Sequence, residues 1–159
     1  MKYAEHTVVF QEVPNEVSLA YAITGCPQRC KGCHSEYLRD PDLGQPLTAD
    51  VVLNHLQTYH GLLTCVLFMG GDHCPGDLIR LLKLVQSRGL KTCLYTGRTL
   101  VSKSILEHLD YLKTGPWVES LGGLGSPKTN QKFINVPTGE DLTRAFYAPI
   151  NARTSSGKN

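Results

Sequence analysis

The chain has 159 residues, with 16 Lys and Arg against 14 Asp and Glu, which predicts one domain around one core. A hydrophobic fraction of 41% and a charged fraction of 19% exclude a disordered polyelectrolyte. The net charge of +2 gives no indication of a nucleic-acid partner. The apolar runs are far shorter than the ~20 residues of a membrane helix, and the polar N-terminal segment does not resemble a signal peptide. We therefore expect a cytoplasmic protein that binds neither nucleic acid nor membrane.

Strand-like and helix-like segments alternate along most of the chain. Helical spacing of apolar residues predicts one helix capped by Thr48, a second that begins at Pro75, and a third that begins near Ser102 or Ser104 and extends to Leu112. Short apolar runs bounded by turn residues predict strands at 7–10, 17–24, 64–69, 92–95 and 117–119.

This β-α order predicts an α/β fold with mainly parallel strands and right-handed crossovers. Three crossover helices are too few to close an eight-unit barrel, so we expect an open partial (β/α) barrel or a doubly wound sheet. Both architectures place functional residues at the carboxyl ends of the strands, here 25–26, 70–72 and 96–98. Residues 1–150 are expected to form the domain and residues 151–159 a frayed polar tail.

Six cysteines are unusual in a chain of this length. Cys26, Cys30 and Cys33 lie close together in a C-x3-C-x2-C pattern. Crowded thiols in a reducing compartment are typical of a metal site or of redox chemistry, not of disulfide staples. Cys65 and Cys93 instead lie in apolar strand segments, where a free cysteine behaves as a small buried hydrophobe.

The residues alone leave four kinds of site open for the crowded thiols. Together with His34 they match a zinc site, although His34 adjoins Cys33 and adjacent side chains seldom reach one ion. The segment 30–34 also matches the C-x-x-C-H haem attachment pattern. A four-thiolate iron–sulfur cluster needs Cys74 as its fourth ligand. A cluster held by only three cysteines leaves one iron open, as catalytic metal centres do.

The cysteine spacing, followed one β-α unit later by a Gly-Gly-Asp segment, resembles the radical S-adenosylmethionine superfamily. The resemblance implies S-adenosylmethionine and a [4Fe–4S] cluster with one open iron, held by Cys26, Cys30 and Cys33. It implies no catalytic side chain beyond these two cofactors. The residues that it implies for cofactor binding are Gly32, Cys33 and His34 at the adenine, Gly70, Gly71 and Asp72 at the methionyl end, and Thr96 and Gly97 along the cleft.

Within that superfamily, the chain from about Val17 to Val136 is similar to the activating proteins of anaerobic ribonucleoside-triphosphate reductases. The resemblance implies reductive cleavage of S-adenosylmethionine and removal of a hydrogen atom from a glycine Cα of a class III ribonucleotide reductase. The implied partners are the large subunit of that reductase and a reductant such as flavodoxin or ferredoxin. The local matches are the segments 24–26, 31–33, 44–48 and 95–97, and the pair 125–126 followed by the pair 130–131.

Several residues depart from the family pattern or have two interpretations. Asp72 is followed by His73 instead of proline, and the His73 side chain is expected to be solvated. Arg98 is expected to be exposed, and Trp117 to belong either to the core or to a docking surface for the reductase. Two other functions stay open: a small radical enzyme of the same superfamily with another substrate, and a non-catalytic cysteine-rich metal-binding module.

Overall fold

The computed structural model describes residues 1–147 and places eight strands in one sheet. Residues 148–150 of the predicted domain and the predicted tail at 151–159 lie outside the described residues. The strands are β1 (Lys2–Val9), β2 (Ser18–Ile23), β3 (Gln45–Pro46), β4 (Cys65–Met69), β5 (Lys91–Tyr95), β6 (Tyr111–Thr114), β7 (Lys132–Asn135) and β8 (Glu140–Asp141). The helices are α1 (Ala49–Thr58), α2 (Pro75–Ser87) and α3 (Lys103–Leu106), with 3-10 turns at Glu36–Arg39 and Thr143–Phe146.

The sheet has a parallel centre and antiparallel flanks. Its strand order is β3-β1-β2-β4-β5-β6-β7-β8, with parallel pairing from β2 through β4 and β5 to β6 and antiparallel pairing elsewhere. The α/β class is therefore as predicted, but parallel strands predominate only in the centre. Because β3 and β8 lie at the two edges, the sheet is open, and its curvature into a partial barrel stays a prediction.

Both faces of the sheet are covered, which explains why its central strands are continuously apolar. All six residues of β2 are buried. On one face, Phe68 of β4 belongs to a core cluster with Leu78 of α2. On the other face, Cys65 and Cys93 belong to a second cluster with Phe133 of β7. The prediction that these two cysteines are buried hydrophobes is confirmed.

The first two helices begin where the sequence predicts. Thr48 caps α1, because its Oγ1 accepts a hydrogen bond from the Val51 amide at 3.3 Å. Pro75 occupies the first position of α2, where its missing N–H is not needed. Of the helices within residues 1–147, none combines the length and the hydropathy that crossing a membrane requires.

The third helix is one turn long and ends at Leu106, so the prediction that it extends to Leu112 is wrong. Leu109 and Leu112 have helical spacing, but Asp110 between them pairs with β5. The Thr92 amide donates to the Asp110 carboxylate at 2.9 Å, and the Asp110 amide donates to the Thr92 carbonyl at 3.1 Å. Leu112 consequently lies in β6, where burial alternates along the strand.

Two strand predictions also need correction. The segment 117–119 is not a strand, because it enters a turn in which the Leu121 amide donates to the Val118 carbonyl at 3.0 Å. The strand predicted at 7–10 begins earlier, as β1, and Phe10 lies beyond its end with 64% of its surface exposed. The first half of β1 carries charged residues at both ends, Lys2 and Glu5, so no apolar run indicated it.

Candidate functional site

A cavity of about 180 Å³ opens at the carboxyl edge of the parallel strands. Its wall combines the loop after β2, the segment after β4, and the ends of β5 and β6. Parallel pairing brings these ends to one edge of the sheet. The predicted site residues on the wall are Cys26, Cys33, Gly70, Asp72, Thr96 and Gly97. The other predicted site residues do not line the cavity: Cys30, Gly32, His34 and Gly71.

The loop after β2, here called the cysteine loop (residues 26–34), presents three free thiols. Cys26, Cys30 and Cys33 are all partly exposed. The loop backbone is fixed at two points, because the Cys26 amide donates to the Leu38 carbonyl at 3.0 Å and Arg39 Nη2 donates to the Cys30 carbonyl at 2.8 Å. These contacts hold the backbone and leave the thiols free to bind a ligand.

The chemistry of the cysteine loop fits an iron–sulfur cluster. Among residues 1–147, no three His, Cys, Asp or Glu side chains are already grouped as ligands of one metal ion. The loop nevertheless supplies three accessible thiols, and Cys26 and Cys33 share the cavity wall. Thiolates are the donors that such clusters require. Three accessible sulfur donors therefore fit a cluster held by three cysteines. The chain does not place these three thiols in ligand geometry beforehand.

The remaining cysteines are poorly suited to bind a metal. Burial raises the pKa of Cys65 to about 12 and that of Cys93 well above its ordinary value, because a buried thiolate is disfavoured. Since the thiolate is the ligand form, both side chains act as core residues. Cys74 lies at the N-terminal end of α2 and does not line the cavity. The geometry thus gives no support to a four-thiolate cluster that includes Cys74.

The Gly-Gly-Asp segment forms a tight turn directly after β4. Gly70 and Gly71 have φ angles of 97° and 104°, in the region that glycine adopts without steric cost. A Cβ on Gly71 would lie 3.1 Å from Met1 Sδ, so close packing also favours glycine here. The Gly70 amide donates to the Tyr95 carbonyl at 2.9 Å, which ties the turn to the end of β5. The turn thereby fixes the position of Asp72.

Asp72 is nearly buried and forms an ion pair with Arg98. Its Oδ2 lies 2.8 Å from Arg98 Nε, and 10% of the Asp72 side chain is exposed against 47% for Arg98. Arg98 is thus exposed, as expected, but it also has a specific partner. A carboxylate beside a guanidinium offers both charges that an amino-acid group needs, one for its ammonium and one for its carboxylate.

The end of β5 approaches the cysteine loop closely. A Cβ on Gly97 would lie 3.1 Å from the Gln28 side chain, so the absence of a side chain here leaves room for this approach. The Thr96 amide donates to the Lys113 carbonyl at 2.9 Å, and Thr96 Oγ1 accepts from the Arg98 amide at 3.1 Å. These bonds fix the two residues after β5 against β6 and the cavity.

Two basic residues on the cavity wall were not expected from the sequence. His73 lines the cavity and is half-buried, and its Nδ1 is buried with no hydrogen-bond partner among residues 1–147, so the side chain is only partly solvated. Lys113 lines the cavity from the end of β6. Leu112 and Thr114 are buried on either side of Lys113, as in a strand. This pattern was missed because the predicted third helix includes Leu112.

Lys113 lies close to the cysteine loop. Its Nζ donates to the Gly115 carbonyl at 3.0 Å and lies 6.0 Å from the centre of the Tyr95 ring. Burial lowers the pKa of Lys113 to about 8, whereas the thiols of Cys30 and Cys33 act to raise it. None of the ion pairs found within residues 1–147 involves Lys113.

The loop 115–131 covers one side of the cysteine loop. The Trp117 ring stands edge-on to the His34 ring, with 5.1 Å between their centres. A Cβ on Gly32 would lie 3.5 Å from Glu119 Oε2 and 3.8 Å from Trp117 Nε1. That Nε1 is buried and has no hydrogen-bond partner in the described part of the chain. Trp117 is half-buried, so it belongs to neither core cluster and packs on the cysteine loop.

Comparison with known proteins agrees with this geometry. A protein-family model described as the Radical SAM superfamily matches residues 21–142. The match spans more than half of the chain and includes every residue of the cavity wall. A search of the curated proteins finds no match.

Proposed function

The chain belongs to the radical S-adenosylmethionine superfamily, and on that premise we propose that it activates a class III anaerobic ribonucleotide reductase. Superfamily membership implies the [4Fe–4S] cluster, S-adenosylmethionine and radical redox chemistry. The proposal adds the substrate: the enzyme cleaves S-adenosylmethionine reductively and removes a hydrogen atom from a glycine Cα of the reductase. The similarity of the segments 24–26, 31–33, 44–48 and 95–97 to reductase activating proteins supports this choice.

One observation carries the proposal: the cysteine loop and the Gly-Gly-Asp turn share the wall of a single cavity. A cofactor whose amino-acid end is held beside the cluster would need both elements within a small space. Asp72 and Arg98 supply the two charges opposite to those of a methionyl group. The cavity therefore brings thiol ligands and an amino-acid site into the proximity that the chemistry requires.

Each residue of the site has a defined role in the proposal. Cys26, Cys30 and Cys33 would hold three irons of the cluster, which would supply the electron for cofactor cleavage. Asp72 holds the methionyl ammonium, and Arg98 holds the neighbouring carboxylate. The remaining predicted cofactor residues act mainly through their backbone, because they form the turns around the cavity: Gly32, Cys33 and His34 at the adenine, Gly70 and Gly71 before Asp72, and Thr96 and Gly97 after β5.

A protein substrate needs an accessible site, and the position of the cavity favours this. The cavity opens at the carboxyl edge of an open sheet. The loop 115–131 flanks the cysteine loop and carries the half-buried Trp117, which makes it the proposed docking surface for the large subunit of the reductase. A small reductant such as flavodoxin or ferredoxin supplies the electron.

One experiment tests the radical chemistry and the proposed substrate separately. The protein is reconstituted anaerobically with iron and sulfide, reduced with dithionite and incubated with S-adenosylmethionine. We expect a brown protein that forms 5′-deoxyadenosine. The same mixture with the reductase is expected to give the oxygen-sensitive electron paramagnetic resonance signal of a glycyl radical.

The possible results lead to different conclusions. A colourless protein with stoichiometric zinc would contradict the radical chemistry and favour a metal-binding module. Formation of 5′-deoxyadenosine without a glycyl radical on the reductase would contradict the proposed substrate and indicate another radical enzyme of this superfamily. Replacement of Cys26, Cys30 or Cys33 by Ala is expected to abolish 5′-deoxyadenosine formation.

A further inference from the structure

Lys113 is the one lysine on the wall of the described cavity, and it has no carboxylate partner among residues 1–147. It shares the wall with Cys26 and Cys33. Its observed hydrogen bond goes to the uncharged Gly115 carbonyl at 3.0 Å, and none of the ion pairs within residues 1–147 includes it. A half-buried ammonium without a counter-ion is costly, so the arrangement indicates that an anion occupies the space in front of it.

Two anions enter this cavity under the proposed function: the methionyl carboxylate of the cofactor and the cluster with its three thiolates. The carboxylate already has a cationic partner, because Arg98 lies beside Asp72. Lys113 instead lines the same cavity wall as two thiols of the cysteine loop, those of Cys26 and Cys33. The position of Lys113 therefore favours the cluster as its anion.

We propose that Lys113 is the electrostatic partner of the iron–sulfur cluster and that its charge raises the reduction potential of the cluster. This inference rests on the proposed cluster site. A cluster gains negative charge when it takes up an electron, and a nearby cation stabilises the reduced form more than the oxidised form. Lys113 thus acts on the cluster through its charge alone, and it forms no bond with the substrate.

Redox titration of the reconstituted protein, followed by electron paramagnetic resonance, measures the midpoint potential directly. Lys113→Met removes the charge and keeps the length of the side chain, and Lys113→Arg keeps the charge. The matched control is Lys103→Met, which removes an equal charge from α3, where the Lys103 side chain is 90% exposed. Iron content and circular dichroism check that each variant is folded and loaded.

We expect Lys113→Met to lower the potential, with roughly a ten-fold smaller ratio of reduced to oxidised cluster at a given potential, or about 59 mV for one electron. Lys113→Arg and Lys103→Met are expected to stay near the wild-type potential. Equal potentials in Lys113→Met and Lys103→Met would overturn the inference. So would an unchanged potential together with weaker binding of S-adenosylmethionine, because Lys113 would then serve the carboxylate.

Failure of this inference is distinguishable from failure of the proposed function. A wild-type protein that takes up no cluster, or that forms no glycyl radical on the reductase, contradicts the proposed function at the cluster or at the substrate. A wild-type protein that does both, with a potential insensitive to Lys113→Met, contradicts the inference alone.

Discussion

Gly71 and Gly76 lie five positions apart and differ in whether a side chain would fit at their position. Gly71 has a φ of 104°, and a Cβ there would lie 3.1 Å from Met1 Sδ. Gly76 lies in the first turn of α2, and a Cβ there would have no heavy atom within 4 Å. The first glycine is thus required by the turn that positions Asp72, whereas the second is not required by packing.

Alanine at these two positions is expected to have effects of opposite sign. Gly71→Ala should lower the free energy of unfolding by about 1–2 kcal/mol, because it forces a side chain into the left-handed region. Gly76→Ala should raise it by up to about 1 kcal/mol, because alanine restricts the unfolded chain. Urea unfolding of the cluster-free protein measures both values. Equal stability of Gly71→Ala and wild type would contradict the steric explanation.

The residues of the site could be predicted from the sequence only where their signal is local. The C-x3-C-x2-C spacing and the Gly-Gly-Asp segment are contiguous patterns, so Cys26 and Asp72 could be identified without a structure. Lys113 and the partner of Arg98 depend on which strands pair. Their roles follow from the alignment of β5 with β6 and from the turn after β4, which no short pattern encodes.

At the scale of elements, α1 contacts β1 and β2 through a cluster of aromatic and histidine rings. The rings of His6 and His55 are stacked with their centres 3.8 Å apart. Tyr21 Oη lies 3.0 Å from His55 Nδ1, and the Tyr3 ring stands edge-on to His55. Burial, and secondarily the charge of His6, lower the pKa of His55. The α1–sheet contact therefore favours a neutral His55.

This contact predicts that stability falls in mildly acidic solution. The pKa of His55 is lower in the folded chain than its unfolded value of about 6.5, so the unfolded chain binds more protons between the two values. The contribution of His55 to the free energy of unfolding is thus expected to be constant above about pH 6.5 and to decrease as the pH falls below it. Urea unfolding between pH 8 and pH 5 measures this decrease.

His55→Gln is expected to reduce the decrease, because the titrating group is gone. His60→Gln is the control, since His60 is exposed just beyond α1. A decrease of the same size in all three proteins would assign the pH dependence to other groups.

For the whole molecule, the core and the proposed cluster site are separate. Neither core cluster contains Cys26, Cys30 or Cys33, whereas Cys65 and Cys93 lie within one of them. The two faces of the sheet are thus packed without help from a metal. The cysteine loop lies at one edge of the sheet and contributes none of its three thiols to the two core clusters.

Removal of the metal is therefore expected to leave the fold intact. After chelation, the protein should lose its colour but keep its far-ultraviolet circular dichroism and a cooperative urea transition. Cys30→Ala should behave like the chelated protein. Cys93→Ala should bind iron normally and lose about 1 kcal/mol of stability, because it leaves a small cavity in the core. A chelated protein that unfolds would show that the cluster is structural.

The general architecture could be predicted because alternating strands and helices leave strong local periodicities. The parallel centre and the shared carboxyl edge followed from that order. The antiparallel strands β7 and β8 could not be predicted, because β8 pairs with β7, and the pairing of β7 with β6 depends on the path of the loop 115–131. The same loop determines that Trp117 packs on the cysteine loop, so its role was also beyond the reach of sequence patterns.

The two ends of the sheet have a consequence for solubility. The outermost strands, β3 and β8, have only two residues each. Pro46 in β3 has no amide hydrogen to donate, and both residues of β8, Glu140 and Asp141, are acidic. Short, charged or proline-bearing edges resist the addition of further strands. The sheet can consequently stay open at these two edges without offering a template for self-association into fibrils.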